Sequence, residues 1–78
     1  MKLDFGNNSL EVPKTIHVKG LTFIVENVEY ISKTVLLYKY SVTLHRGSRS
    51  YTGVGDLWEP TDKGITDMLK QVAKAVMA

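Results

Sequence analysis

The chain has 78 residues, with ten Lys or Arg against eight Asp or Glu, a formal net charge of +2 and no cysteine. This length suits one domain, 1–78, and the lack of cysteine excludes disulfides and thiolate metal sites. The pI near 9.0 lies at the edge of the range typical of nucleic-acid binders, while the absence of a 20-residue apolar run or a signal-peptide core predicts a cytoplasmic protein without membrane contact.

Residues 1–13 contain two short alternations of apolar and polar residues around the turn-forming stretch from Gly6 to Ser9. A small hairpin or an ordered arm would both fit this pattern. Pro13 ends the segment because proline cannot donate a hydrogen bond to a strand ladder.

Residues 14–58 alternate as half-buried strands do, most clearly over 34–46. Two-residue turns at Lys19-Gly20, Ser32-Lys33 and Gly47-Ser48 predict a four-stranded antiparallel meander whose register follows from the turns. This register collects apolar side chains on one face. The predicted pairs there are Val18–Leu21, Ile16–Phe23, Leu21–Leu44, Phe23–Val42, Val25–Tyr40, Leu44–Tyr51, Val42–Gly53, Tyr40–Gly55 and Tyr38–Leu57.

A helix is predicted over 61–77, after Pro60. Thr61 can cap its first amides, and Asp62 complements the positive end of its dipole. An apolar stripe with helical spacing would pack on the sheet; it comprises Ile65, Met68, Leu69, Val72, Ala73 and Val76. The predicted fold is α+β, a β-β-β-β-α meander with one face covered by the C-terminal helix and a possible N-terminal hairpin.

Catalytic and metal chemistry find little support in the sequence. His17 and His45 fall on the outer face of the predicted sheet without a ligand or nucleophile at suitable spacing. Asp56, Glu59 and Asp62 could in principle hold a hard cation, but cross-strand pairing explains Asp56 and helix-start electrostatics explain Asp62. The serines have no evident general base. We therefore expect no enzyme activity, no metal and no cofactor.

The first candidate binding surface is basic. The register places Arg46 opposite Arg49 at a hairpin tip, and such a like-charge pair is destabilising unless an anion binds there. Lysines on the polar face of the helix could extend this surface and contact phosphates; they are Lys63, Lys70 and Lys74.

The second candidate surface is apolar and lies near the other end of the long hairpin. Four residues meet there on the nominally outer face: Val28, Tyr30, Val35 and Leu37. Because Asn27 and Glu29 then fall on the core face, the amphipathic pattern inverts. Three explanations fit: a β-bulge near Glu26-Asn27, packing of the N-terminal arm through Leu3, Phe5 and Leu10, or contact with another protein.

Residues 42–76 resemble two groups of proteins. Their hairpin, glycine-rich strand and terminal helix are similar in outline to the second half of a double-stranded RNA-binding domain, which implies RNA binding. A Gly-x-Gly strand is followed by Pro-Thr and by a helix with Asp-x-Leu; the residues are Gly53, Gly55, Pro60, Thr61, Asp67 and Leu69. This pattern resembles that of small phage or mobile-element proteins, and the resemblance implies an accessory protein of the anti-defence or anti-CRISPR class.

These observations favour a small non-catalytic binding module that acts by occupying a surface of a protein or ribonucleoprotein partner, as a phage-type inhibitor of host defence would. The alternative is direct nucleic-acid binding through phosphate contacts from the basic tip and helix. Homodimerisation through the apolar group or an open sheet edge is compatible with either.

Overall fold

A four-stranded antiparallel sheet, a C-terminal helix and an N-terminal two-stranded hairpin make up the fold, in a computed structural model that describes residues 1–32 and 37–77. The α+β architecture, the C-terminal helix and the N-terminal hairpin are therefore confirmed. The elements are β1 (Lys2–Asp4), β2 (Ser9–Glu11), β3 (Lys14–Val18), β4 (Leu21–Ser32), β5 (Leu37–Arg46), β6 (Arg49–Leu57) and α1 (Asp62–Val76). β1 pairs with β2, and the main sheet has the order β3-β4-β5-β6.

Two of the three predicted turns form as expected. Lys19 and Gly20 join β3 to β4 with φ values of 51° and 78°, the two positive angles that a type I′ turn requires. Gly47, at φ 62°, opens the turn between β5 and β6. The predicted pairs of β3 with β4 and of β5 with β6 are confirmed, and they include Arg46 opposite Arg49.

The register between β4 and β5 differs from the prediction. Ser32 is paired with Leu37, so the expected two-residue turn at Ser32-Lys33 is wrong, and the connection falls at 33–36, outside the described residues. Phe23 consequently lies opposite Leu44 instead of Val42, and Val25 lies opposite Val42. Up to Val25 this shift of two residues leaves every side chain on its predicted face, because strand side chains alternate with a period of two.

A β-bulge explains the inverted pattern of β4. The pairing with β5 shifts between Val25 and Asn27, so Glu26 is the inserted residue. Beyond it the strand has turned over, and Val28 lies in the core with only 3% of its surface exposed. The Glu26 carboxylate accepts a hydrogen bond from the Thr43 hydroxyl on β5, which anchors the bulge to its neighbour.

The N-terminal hairpin completes the core at the same end of the sheet. Leu10 and Val12 are almost fully buried, and the Phe5 ring packs edge-on against Tyr38 with 5.2 Å between ring centroids. Two of the three explanations offered for the inversion, the bulge and the packed arm, are thus both present. The remaining core comes from the inner face of the sheet and from the apolar stripe of α1, whose Ile65, Leu69 and Ala73 are buried.

The start of α1 is held by specific contacts. The Thr61 hydroxyl accepts a hydrogen bond from the Gly64 amide at 3.0 Å, which confirms the predicted cap. Lys14 on β3 forms a 3.0 Å ion pair with Asp62. A Cβ at position 64 would lie 2.1 Å from the Glu59 carbonyl oxygen, so the incoming chain packs directly on this glycine.

Candidate functional site

The strand order brings two turns and the end of the helix to one end of the molecule. Thr22 lies opposite His45, so the Lys19-Gly20 turn and the Gly47-Ser48 turn are neighbours at the same end of the sheet. The C-terminal half of α1 reaches this end, because Val76 lines a groove together with Leu44, Arg46 and Tyr51. We call this region the tip end.

Charge is strongly segregated toward the tip end. The segments that form it, 15–25, 40–55 and 68–77, contain five of the ten Lys or Arg residues and none of the eight Asp or Glu residues. The remainder of the chain has five Lys or Arg and all eight carboxylates, so the formal charge of +2 divides into +5 and −3. The five cations of the tip end are Lys19, Arg46, Arg49, Lys70 and Lys74.

Four of these cations were predicted as binding residues. Arg46 and Arg49 are exposed and directly opposite each other at the hairpin tip. Lys70 and Lys74 are exposed one helical turn apart, on the part of α1 that faces the Lys19-Gly20 turn. Lys19 was missed, although its place in a predicted turn at the same sheet end was a usable signal.

Lys63 lies away from this group. Its ammonium forms a 3.0 Å ion pair with Asp67 one turn further along α1, near the start of the helix. The hydrogen bond that Lys63 donates to that carboxylate, the charge of the carboxylate and the charge of Glu59 raise the pKa of Lys63. The structure therefore does not bring Lys63 together with the four other predicted basic residues.

The predicted apolar surface is divided, because the bulge at Glu26 rotates β4. Val28 belongs to the core, and Tyr30 lies on the core face with its ring edge-on to Tyr38 at 5.2 Å. Leu37 is half-buried and, as the strand neighbour of Tyr38, points to the opposite face. Val35 lies outside the described residues. The expectation of one contiguous apolar surface is thus wrong for the three members that the structure describes.

A basic groove separates the end of β3 from α1. It has a volume of about 500 Å³ and is lined by His17, Val18, Lys19, Thr66, Lys70, Gln71 and Lys74. The lining residues include three lysines and no carboxylate. The His17 imidazole lies 3.2 Å from the Thr22 hydroxyl through Nδ1. Lysines that line an open groove can contact an anion, and a phosphate group suits them.

An apolar groove of about 330 Å³ lies on the helix-covered face of β5 and β6. Tyr51 forms one wall and is 49% exposed. Gly53 follows on the same face, and a Cβ there would have no atom within 4 Å. Arg46, Arg49, Tyr51 and Gly53 therefore share one face of this hairpin.

The outer face of the same hairpin carries a serine and a histidine in contact. His45 and Ser50 are directly paired, and the Ser50 hydroxyl lies 2.9 Å from His45 Nδ1. The expectation that the serines have no neighbouring base is therefore wrong for Ser50. Within the described residues no carboxylate hydrogen-bonds His45, so the third group that activates such a pair in hydrolases does not accompany it.

Comparisons with known proteins provide no functional assignment. The chain matches no protein-family model, no curated protein and no solved structure. Across the described residues, no helix combines the length and apolar character needed to cross a membrane. Residues 1–32 and 37–77 likewise contain no group of three or more His, Cys, Asp or Glu placed to hold a metal ion.

Proposed function

We propose that this protein is a small non-catalytic binding module that occupies the phosphate backbone of a nucleic acid, either free or within a ribonucleoprotein. The observation that carries this proposal is the separation of formal charge into +5 at the tip end and −3 elsewhere. A net charge of only +2 conceals a surface with a strongly cationic end. The positive tip end attracts polyanions, and the negative charge on the rest of the molecule disfavours contact with acidic protein surfaces there.

The side chains at the tip end suit phosphate contacts. Arg46 and Arg49 repel each other across the hairpin unless an anion lies between them, and guanidinium groups bind phosphate oxygens bidentately. Lys19, Lys70 and Lys74 extend the cationic surface along the basic groove. The tip end thus offers five positive side chains to a phosphate backbone.

Binding fits the site better than catalysis does. The His45 and Ser50 pair lies on an exposed sheet face, without an orienting carboxylate among the described residues. The grooves at the tip end are open and lined by cations or apolar side chains. Such a surface can position an anionic polymer, whereas it offers no activated nucleophile.

The test is a titration of fluorescently labelled single- and double-stranded DNA and RNA at 50 to 200 mM salt. For each tenfold rise in salt concentration, we expect affinity to fall by about 0.9 logarithmic units per phosphate contact for duplex DNA and by about 0.7 for single strands. The variant Arg46→Ala/Arg49→Ala should bind more weakly and reduce this slope by about two. Its fold should persist, because the substitution removes a like-charge pair.

The matched control is Lys2→Ala/Lys63→Ala, which removes the same charge from the other end of the molecule. This variant should bind within about twofold of the wild type. Equal losses in the two variants would show that only net charge matters and would contradict a site at the tip end. Absence of wild-type binding at 50 mM salt would overturn the proposed function.

A further inference from the structure

The cationic hairpin places an aromatic side chain in line with its arginines. Arg49, Tyr51 and Gly53 are alternate residues of β6 and lie on one face, about 6.6 Å apart from one to the next. Arg46 joins them from β5. Three described aromatic side chains are well exposed, namely Tyr30, Tyr51 and Trp58. Tyr51 is the one at the tip end, since Tyr30 and Trp58 adjoin Tyr38 and its partner Leu57.

The surface beside Tyr51 is open and apolar. Leu44 and Val76 line the groove next to its ring. Gly53 presents bare backbone, with nothing within 4 Å of the place where a side chain would begin. A flat group can therefore lie against the tyrosine ring without displacing any side chain of this strand.

We propose that the tip end binds single-stranded nucleic acid, with one unpaired base stacked on Tyr51 over Gly53 and the adjoining phosphates held by Arg46 and Arg49. This inference rests on the proposed function and specifies its ligand. Bases in a duplex are already stacked on one another, so only an unpaired base can reach an aromatic side chain. A cationic groove with an aromatic platform is the usual combination in proteins that bind single strands.

Charge complementarity favours this occupant over an apolar peptide. Arg46 itself lines the groove, and Arg49 lies directly opposite it at the groove's outer end. The segments around the groove contain no carboxylate that could neutralise these guanidinium groups. A nucleotide supplies both the flat apolar surface and the negative charge that such a site requires.

The experiment compares a labelled single-stranded oligonucleotide with a duplex of the same sequence at one salt concentration. Tyr51→Ala should weaken single-strand binding by roughly 5- to 150-fold, the range that loss of one stacked base produces. Duplex binding should change less than about twofold, since it depends on phosphate contacts alone. Tyr51→Phe keeps the ring and should bind the single strand as the wild type does.

Gly53→Val provides an independent test. Valine is well tolerated in a strand, but its side chain would fill the open space above position 53, next to the Tyr51 ring. It should lower single-strand affinity and leave duplex affinity intact, with folding followed by thermal unfolding. Unchanged single-strand binding by Tyr51→Ala, or equal losses for both ligands, would overturn the stacking proposal. The proposed function would still hold after that result if binding continued to depend on Arg46, Arg49 and salt. Both proposals would be overturned only if the wild type bound no nucleic acid.

Discussion

Two glycines on one strand have different environments. The Tyr40 ring lies directly over Gly55, where an added Cβ would come within 2.6 Å of the phenolic oxygen. Around Gly53 the corresponding space is empty. Each glycine is paired with a β5 residue, Gly55 with Tyr40 and Gly53 with Val42. The difference therefore comes from the side chains of β5, because the Tyr40 ring extends over Gly55 whereas the position above Gly53 stays open.

Alanine substitutions at these glycines should therefore differ. Gly55→Ala forces the Tyr40 ring to move and should destabilise the fold by about 1 to 3 kcal/mol, the usual cost of overpacking. Gly53→Ala meets no atom and should change stability by less than about 0.5 kcal/mol. Urea unfolding of both variants measures the difference, and equal destabilisation would contradict the packing described for Tyr40.

Tyr40 also makes stability depend on pH. Burial, and to a lesser extent the negative charge of Asp56, raise the pKa of Tyr40 above its ordinary value of 10.0. Above pH 10 the unfolded chain loses this proton while the folded chain retains it, so the unfolded state binds fewer protons. The contribution to stability is complete below pH 10 and is lost as the pH rises through the folded pKa.

We expect the free energy of unfolding to fall as the pH rises above the ordinary tyrosine pKa of 10.0, and to fall less steeply in Tyr40→Phe. Urea midpoints measured below and above this pH provide the comparison. The phenylalanine variant keeps the ring over Gly55 and removes only the ionisable hydroxyl. An identical decline in both proteins would show that Tyr40 does not titrate differently in the folded state.

At the level of elements, the helix was well predicted because its signals are local. The cap residue, the acidic first turn and the apolar stripe all lie within α1 or next to it. The contact between Gly64 and the Glu59 carbonyl was not foreseen, because it depends on the path of the chain between β6 and α1.

The cap of α1 provides a direct test of this local account. Thr61→Ala removes the acceptor for the Gly64 amide and should cost about 1 kcal/mol. Thr61→Ser retains the hydroxyl and should cost little. Thermal or urea unfolding of the two variants compares them, and equal stability would mean that water satisfies the Gly64 amide as well as the threonine does.

The sequence predicted β4 less completely. Its apolar pattern inverts after Val25, and a bulge, a packed arm or a partner protein could each account for that inversion. The bulge at Glu26 and the burial of Leu10 distinguish them, and both depend on contacts between distant parts of the chain. Up to Val25 the face of each side chain was predictable from alternation, but the exact partner of Phe23 was not, because a shift by two residues preserves the alternation.

For the whole molecule, the fold gathers charges that are dispersed along the chain. Arg46 and Arg49 were recognisable as a site because two residues of turn separate them. Lys63, Lys70 and Lys74 were recognisable as lysines on the exposed face of a helix. No local signal showed that Lys70 and Lys74 lie near the hairpin tip and that Lys63 does not. The register placed Tyr51 on the core face of the sheet. Its exposure could not be predicted, because it depends on how far α1 covers β6.

The separation of charge also gives the molecule an electric dipole, with its positive end at the tip end. A polyanion would then exert a torque on the protein before contact and turn the arginines toward itself. Salt would shorten the reach of that field to about 10 Å at 0.1 M. Charge placement would thus govern the rate and orientation of encounter as well as the strength of the final complex.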